Sequence, residues 1–198
     1  MQRVRIVLWA AVAIALAAFA FLMLRPVQET PTRQQPLAIS SIGGPFTLTG
    51  SDGKPFSSAS LAGKPYAIFF GFTHCPDVCP TTRARMVRLR QLLGADDRPF
   101  EILFVSVDPE RDGSTEVGKY AELFKSPVTG LTGSPAQIEQ VKRQYGIFSR
   151  KVPDSSGGYS VDHTSTVLLF DRKSDFSGTI APEENDNAAL AKLKRITA

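Results

Sequence analysis

Both cysteines of the chain stand in GFTHCPDVCP, residues 71–80, with three residues between Cys75 and Cys79 and a proline after each. Two thiols so placed can close a disulfide, cycle between dithiol and disulfide, or offer two thiolates to a soft metal such as Cu(I) or Zn. A structural staple is the weakest of these readings, because closing so short a loop takes little freedom from the unfolded chain. The usual redox signature has two intervening residues rather than three, although a disulfide remains sterically open if the Cβ atoms approach to about 4 Å. A metal asks for further ligands, and without a third cysteine the donors left are His74, His163, Met86 and carboxylates. His74 adjoins Cys75 at a strand end, where neighbouring side chains point to opposite sides; it reads as a turn or packing histidine. His163, in YSVDHTSTVLLF, reads as a loop residue just ahead of a predicted strand that returns beside the first.

The prolines say how the motif is held. Each pushes the residue before it out of helical conformation, and Pro80 suits the first helical position, so Cys79 is expected at the N-cap. Cys75 then falls in a separate turn at the end of the preceding strand. Thiolates near a helix N-terminus are stabilised by its unpaired N–H groups and dipole, which favours both nucleophilic chemistry and metal ligation.

The surrounding elements fit that placement. PFTLTG and KPFSS are short strands joined through Ser51-Asp52-Gly53, a hairpin signal. KPYAIFFGF and FEILFVSVD are nearly continuous apolar runs, as strands buried on both faces are. Helices are predicted in TTRARMVRLRQLLG, in STEVGKYAELF with Ser114 or Thr115 as cap, and in SPAQIEQVKRQYG with Ser134 as cap, Pro135 in the first turn and Gly146 at the end. STVLLFD and SGTIA read as a final strand pair, and NDNAALAKLKRI as a closing helix. The order predicts an α/β, thioredoxin-like fold with a mixed central sheet flanked by helices. No Gly-x-Gly-x-x-Gly or Walker-type loop supports a nucleotide-binding alternative.

Residues 6–24, IVLWAAVAIALAAFAFLML, carry no charge. As a helix they rise about 28 Å at roughly 1.5 Å per residue, close to a bilayer's hydrocarbon thickness. Arg3 and Arg5 favour a cytoplasmic N-terminus, which exports the remainder; Arg25 weakens the asymmetry. The competing reading is a cleaved signal peptide at Ala18-Phe19-Ala20, but the apolar run exceeds a signal core and continues past that site. The expected layout is an N-terminal transmembrane helix in residues 1–25, an extended linker in 26–41 containing Pro31 and Pro36, and the folded domain in 42–198. From residue 26 onward basic residues outnumber acidic ones by one, so charge does not point to nucleic acid.

Taken together, GGPFTLTGSDGKPFSS, GKPYAIFFGFTHCPDVCP, VSVDPERD, LTGSPAQIEQVKRQYGIFSRKV and YSVDHT closely resemble the Sco/SenC family, in family order from residue 42 onward. These are membrane-anchored, thioredoxin-like proteins that assemble the copper centre of cytochrome c oxidase. The resemblance implies copper ligation by Cys75, Cys79 and His163, with Cu(I) as the principal ion and Cu(II) also able to bind. Two thiolates and a neutral imidazole around Cu(I) carry a net charge of −1, which helix N–H groups help stabilise. Three-coordination leaves the ion open to an incoming thiolate, which suits transfer by ligand exchange. The implied activity is delivery of copper to the dinuclear site of oxidase subunit II, and the implied partners are that subunit and other periplasmic copper chaperones or thiol reductants. The alternative is a thiol-disulfide reductase that keeps the subunit's cysteines reduced, with Cys75 and Cys79 as the redox pair; a peroxiredoxin-like peroxidase ranks third. A single-pass protein of a bacterial inner membrane, with its domain in the periplasm, is expected.

The remaining charged residues receive modest roles. Asp77 could accept N–H bonds at the helix start, and Asp162 reads as a solvated turn residue beside the histidine. Asp108, Glu110, Arg111 and Asp112 in VDPERD read as loop-stabilising charges. Arg83, Arg85, Arg88 and Arg90 read as a solvated helix face, those near its start being available to an acidic partner.

Overall fold

Six apolar and aromatic residues in succession, Tyr66–Gly71, are buried without a break, because this strand lies mid-sheet with helices over both faces. The computed structural model describes Trp9, Phe21 and residues 42–74, 78–94, 99–123, 126–154 and 157–198, with residues 78–80 and 83 described by backbone alone. Strands β1 (Thr47–Gly50) and β2 (Pro55–Ser57) form the predicted hairpin, Gly53 taking the positive φ its turn requires. Strand β3 (Tyr66–Gly71) runs parallel to β4 (Glu101–Ser106), which runs parallel to β5 (Thr129–Thr132). Among the described residues strand β6 (Ser149–Pro153) pairs only with β7 (Tyr159–His163), while β8 (Val167–Phe170) lies antiparallel to β3 and to β9 (Phe176–Ile180). The main sheet has the order β2-β1-β5-β4-β3-β8-β9, and β6-β7 stands outside it as a separate ribbon.

Helix α1 (Val78–Leu93) follows β3, α2 (Ser114–Glu122) follows β4, α3 (Pro135–Tyr145) follows β5, and α4 (Asp186–Thr197) closes the chain. The crossovers β3-α1-β4 and β4-α2-β5 step the same way across the sheet, so right-handed connections put α1 and α2 on one face. Alternation divides the core accordingly. Phe69 packs on Phe104, which meets Tyr120 of α2. Phe70 and Phe170 face the other way, onto Tyr145 of α3. Ser134 and Gln137 form a reciprocal capping box on α3, and Gly146 ends it in the left-handed conformation. This mixed sheet with helices on both faces is the expected thioredoxin-like fold.

Several local expectations need correction. Helix α1 already begins at Val78, so Cys79 lies within its first turn rather than at the N-cap. Pro80 is tolerated there because first-turn N–H groups have no intrahelical acceptor to lose. The N-cap of α2 is Gly113 without a side-chain bond, not Ser114 or Thr115. Asn185, by contrast, caps α4 through its side chain. The arginines of α1 are a solvated face only in part: Arg88 is exposed, whereas Arg85 is largely covered and Arg90 is buried. Arg85 reaches Asp186 and the carbonyls of Ala181, Pro182 and Glu184, Arg88 also pairs with Asp186, and Arg90 is buried against Ser126. They tie α1 to α4 and to the loop before β5; the side chain of Arg83 lies outside the described residues.

The chain divides into two units, Met1–Pro36 and Leu37–Ala198. In the first, Trp9 and Phe21 are helical and exposed. The rest of the expected anchor, and the linker at 26–41, lie outside the described residues. Among the described residues no helix is long and apolar enough to cross a membrane.

Candidate metal centre

Strand β3 delivers the chain to the motif, and the turn after it is pinned from beneath by one carboxylate. Phe72 is buried, and Thr73 donates to Asp112 twice, from its backbone N at 2.8 Å and from its hydroxyl at 2.6 Å. Ser106, the last residue of β4, gives Asp112 a third bond at 2.6 Å. The Asp112 side chain is fully buried, and each of its oxygens meets a donor, as a buried polar group requires. His74 lies over the same carboxylate, Nδ1 at 3.5 Å from Asp112 and 3.2 Å from the Thr73 hydroxyl. That is the turn histidine expected from the sequence. Cys75 and Asp77 follow immediately and lie outside the described residues; Cys79 is placed by backbone alone, in the first turn of α1.

His163 is the last residue of β7, not a loop residue, and it pairs in register with Ser149 of β6. Period-2 alternation turns Tyr159, Val161 and His163 toward the body of the domain and leaves Ser160 and Asp162 exposed. Asp162 is therefore a strand residue, ion-paired with Arg150 directly across the ribbon at 2.9 Å. The His163 ring stands edge-on to Phe72, centroids 5.7 Å apart at 87°. Its Nδ1 lies 3.0 Å from the Val161 carbonyl. A carbonyl only accepts, so Nδ1 carries the hydrogen and the imidazole lone pair resides on Nε2, the form suited to ligation. Because Phe72 lies three residues before Cys75, this contact brings His163 to the end of β3 from which the cysteine motif departs.

The ribbon that carries His163 is itself held by VDPERD. Asp108, almost fully buried, accepts from the Arg111 Nε at 2.5 Å and from the Tyr159 hydroxyl at 2.9 Å. Burial, and then the bond to Asp108, push the Tyr159 phenol above its ordinary pKa, so it remains a donor. Arg111 also donates to the Tyr159 carbonyl at 2.8 Å, and its guanidinium lies over the Tyr159 ring at 3.7 Å and at 5.7 Å from the Phe72 centroid. The loop-stabilising role expected for Asp108, Glu110, Arg111 and Asp112 is thus observed, with Glu110 pairing with Lys151 on the ribbon. Phe72 and Tyr159 were not legible as site residues; the alternation in YSVDH was the available signal for Tyr159.

Met86 is in the core, packed away from solvent, and is not placed as a ligand. Among the described residues no group of three His, Cys, Asp or Glu side chains is arranged to hold a metal. What the described residues supply is the His163 imidazole, ordered in tautomer and orientation against Phe72, the residue that follows β3.

Residues 34–198 match the SCO1/SenC family model. The fold is similar to copper-bound ScoI of Bradyrhizobium japonicum, with TM-score 0.71 and 41% identity over 78% of this chain and 99% of that one. It is also similar to BsSco, described as a Sco-family cytochrome c oxidase assembly protein with a disulfide switch, with TM-score 0.63 and 27% identity over 80% of this chain and 94% of that one. Among curated proteins, SCO1 homolog 1 of Arabidopsis thaliana mitochondria is 38% identical over 141 residues, 69% of this chain and 41% of the relative. The chain spans about half the length of the curated relatives it matches. With the family model covering the whole folded domain, this chain belongs to the SCO1/SenC family.

Proposed function

We propose that the protein is a membrane-anchored copper metallochaperone that takes copper through Cys75, Cys79 and His163 and delivers it to the dinuclear copper site of cytochrome c oxidase subunit II. The observation that carries this reading is the contact of His163 with Phe72, with Nδ1 held by Val161, at the strand end that leads into Cys75. Copper bound in the similar ScoI domain supports the choice of metal, and the assembly role of BsSco supports the choice of partner. Two thiolates select a soft ion, and neutral imidazole completes a three-coordinate Cu(I) site. Such an ion remains open to attack by a fourth ligand, so an acceptor thiolate displaces one donor at a time. Residues 6–24 would hold the domain at a bacterial inner membrane, with residues 26–41 as its tether on the periplasmic side.

A second reading shares the same sulfurs. The disulfide switch described for BsSco favours a dithiol that reduces subunit II. Cys75 and Cys79 would form a disulfide while the two acceptor sulfurs take up the electrons and protons as thiols. Incubating the copper-loaded full-length protein in detergent with apo subunit II separates the two. Under the chaperone reading copper moves to the acceptor and the movement is lost in Cys75→Ser, Cys79→Ser and His163→Ala. Reduction of the acceptor's disulfide by the apo protein, independent of His163 and without copper transfer, would overturn it.

A further inference from the structure

The ribbon β6-β7 lies outside the main sheet, and an isolated two-stranded ribbon is marginal in water. Something outside it must set where His163 stands. The exposed pair between Lys151 and Glu110 is a weak tie, being solvated on both sides. The strong tie is Arg111. Its fork spans from the buried Asp108 to the Tyr159 carbonyl, and its plane covers Tyr159 on the ribbon and approaches Phe72 on the strand exit. Phe72 in turn meets His163. Asp112, one residue on, grips Thr73 on the way to Cys75.

We infer that Arg111 is a positioning residue: it sets the ribbon against the β3 exit so that the His163 imidazole stands against Phe72, and it thereby tunes copper affinity through His163 alone. This rests on the reading of His163 as a copper ligand. The role needs a planar guanidinium, which donates in two directions while stacking on a ring; the single ammonium of lysine cannot do both. Positive charge alone, stabilising a site of net charge −1, is the competing account, and the two differ in what lysine restores.

The test is a double-mutant cycle on the full-length protein in detergent, with Cu(I) affinity read by competition against a chromogenic chelator. Arg111→Lys is expected to weaken Cu(I) binding by about 10–100-fold, the range for partners that orient a ligand. The same substitution in a His163→Ala background is expected to change nothing. The nitrogen coupling in the EPR spectrum of the Cu(II) complex is expected to weaken in Arg111→Lys, a change that a general loss of stability does not produce. Full retention of affinity in Arg111→Lys, or an equal loss in both backgrounds, overturns the inference while leaving the copper reading intact. Wild-type affinity in His163→Ala overturns the copper reading and this inference with it. Should Arg111→Lys fail to fold by circular dichroism, Tyr159→Phe carries the same cycle. It removes only the hydroxyl bond to Asp108, so a smaller loss that again vanishes without His163 is expected, and no loss overturns the inference.

Discussion

Removing the Asp112 carboxylate tests how the cysteine turn is held. In Asp112→Ala the Thr73 N–H loses its acceptor, at about 1–3 kcal/mol, and the hydroxyls of Thr73 and Ser106 lose a charged partner but can rotate toward others. A total near 3–5 kcal/mol follows, which for a domain of this size lowers Tm by about 6–20 °C. Asp112→Asn is the informative contrast. One oxygen of Asp112 accepts from Thr73 N and Ser106, the other from the Thr73 hydroxyl, with His74 Nδ1 3.5 Å away. An amide can keep its oxygen on the first pair and turn its NH2 to the Thr73 hydroxyl, which then accepts. Every hydrogen bond to Thr73 and Ser106 survives and only charge assistance is lost, so about 1 kcal/mol and a Tm shift of about 2–4 °C are expected. Thermal unfolding of the apo protein at neutral pH, followed by circular dichroism, reads both. An Asp112→Ala variant within about 2 °C of wild type, or an Asp112→Asn variant as damaged as the alanine, would refute this reasoning.

Two further outcomes follow from the contact between α1 and α4. Arg85→Ala removes a half-buried guanidinium from Asp186 and three carbonyls and is expected to cost about 2–4 kcal/mol, seen as a lower urea midpoint with unchanged slope. The Asp186 carboxyl is held below its ordinary value chiefly by the hydrogen bond from Arg85 and then by that from Arg88. A depressed folded pKa gives stabilisation that is present above the unfolded value, about 4, and is lost as pH falls through the folded value. Asp186→Asn should therefore show a shallower loss of stability below about pH 4, measured by acid titration of unfolding; an unchanged acid limb would count against the assignment.

The sheet was legible where burial is two-sided. KPYAIFFGF and FEILFVSVD can only be central strands, and Ser134-Pro135 with Gly146 bracket α3 by cap chemistry alone. Elements that depend on distant partners were not. Strand β5 is four residues with a glycine, TGLT, and exists because β4 and β1 flank it. Strand β6, SRKVP, is polar and ends in proline, and pairs only because β7 folds back on it. Missing β6 is what made His163 look like a loop residue. Arg85 and Arg90 misled for the same reason, since the acceptors of Arg85 lie about a hundred residues away, in and before α4, and that of Arg90 is Ser126, in the loop before β5. The cysteine pair and His163 were singled out through chemistry and resemblance, and VDPERD was read as stabilising its loop; that residues 108–112 tie the ribbon of His163 to the β3 exit required the fold.

X-ray absorption at the copper edge, on the full-length protein loaded with one equivalent of Cu(I), tests the central claim most directly. A shell of two sulfurs and one nitrogen is expected, the nitrogen disappearing in His163→Ala and a sulfur in Cys75→Ser or Cys79→Ser. A shell of sulfur alone, unchanged by His163→Ala, would contradict it.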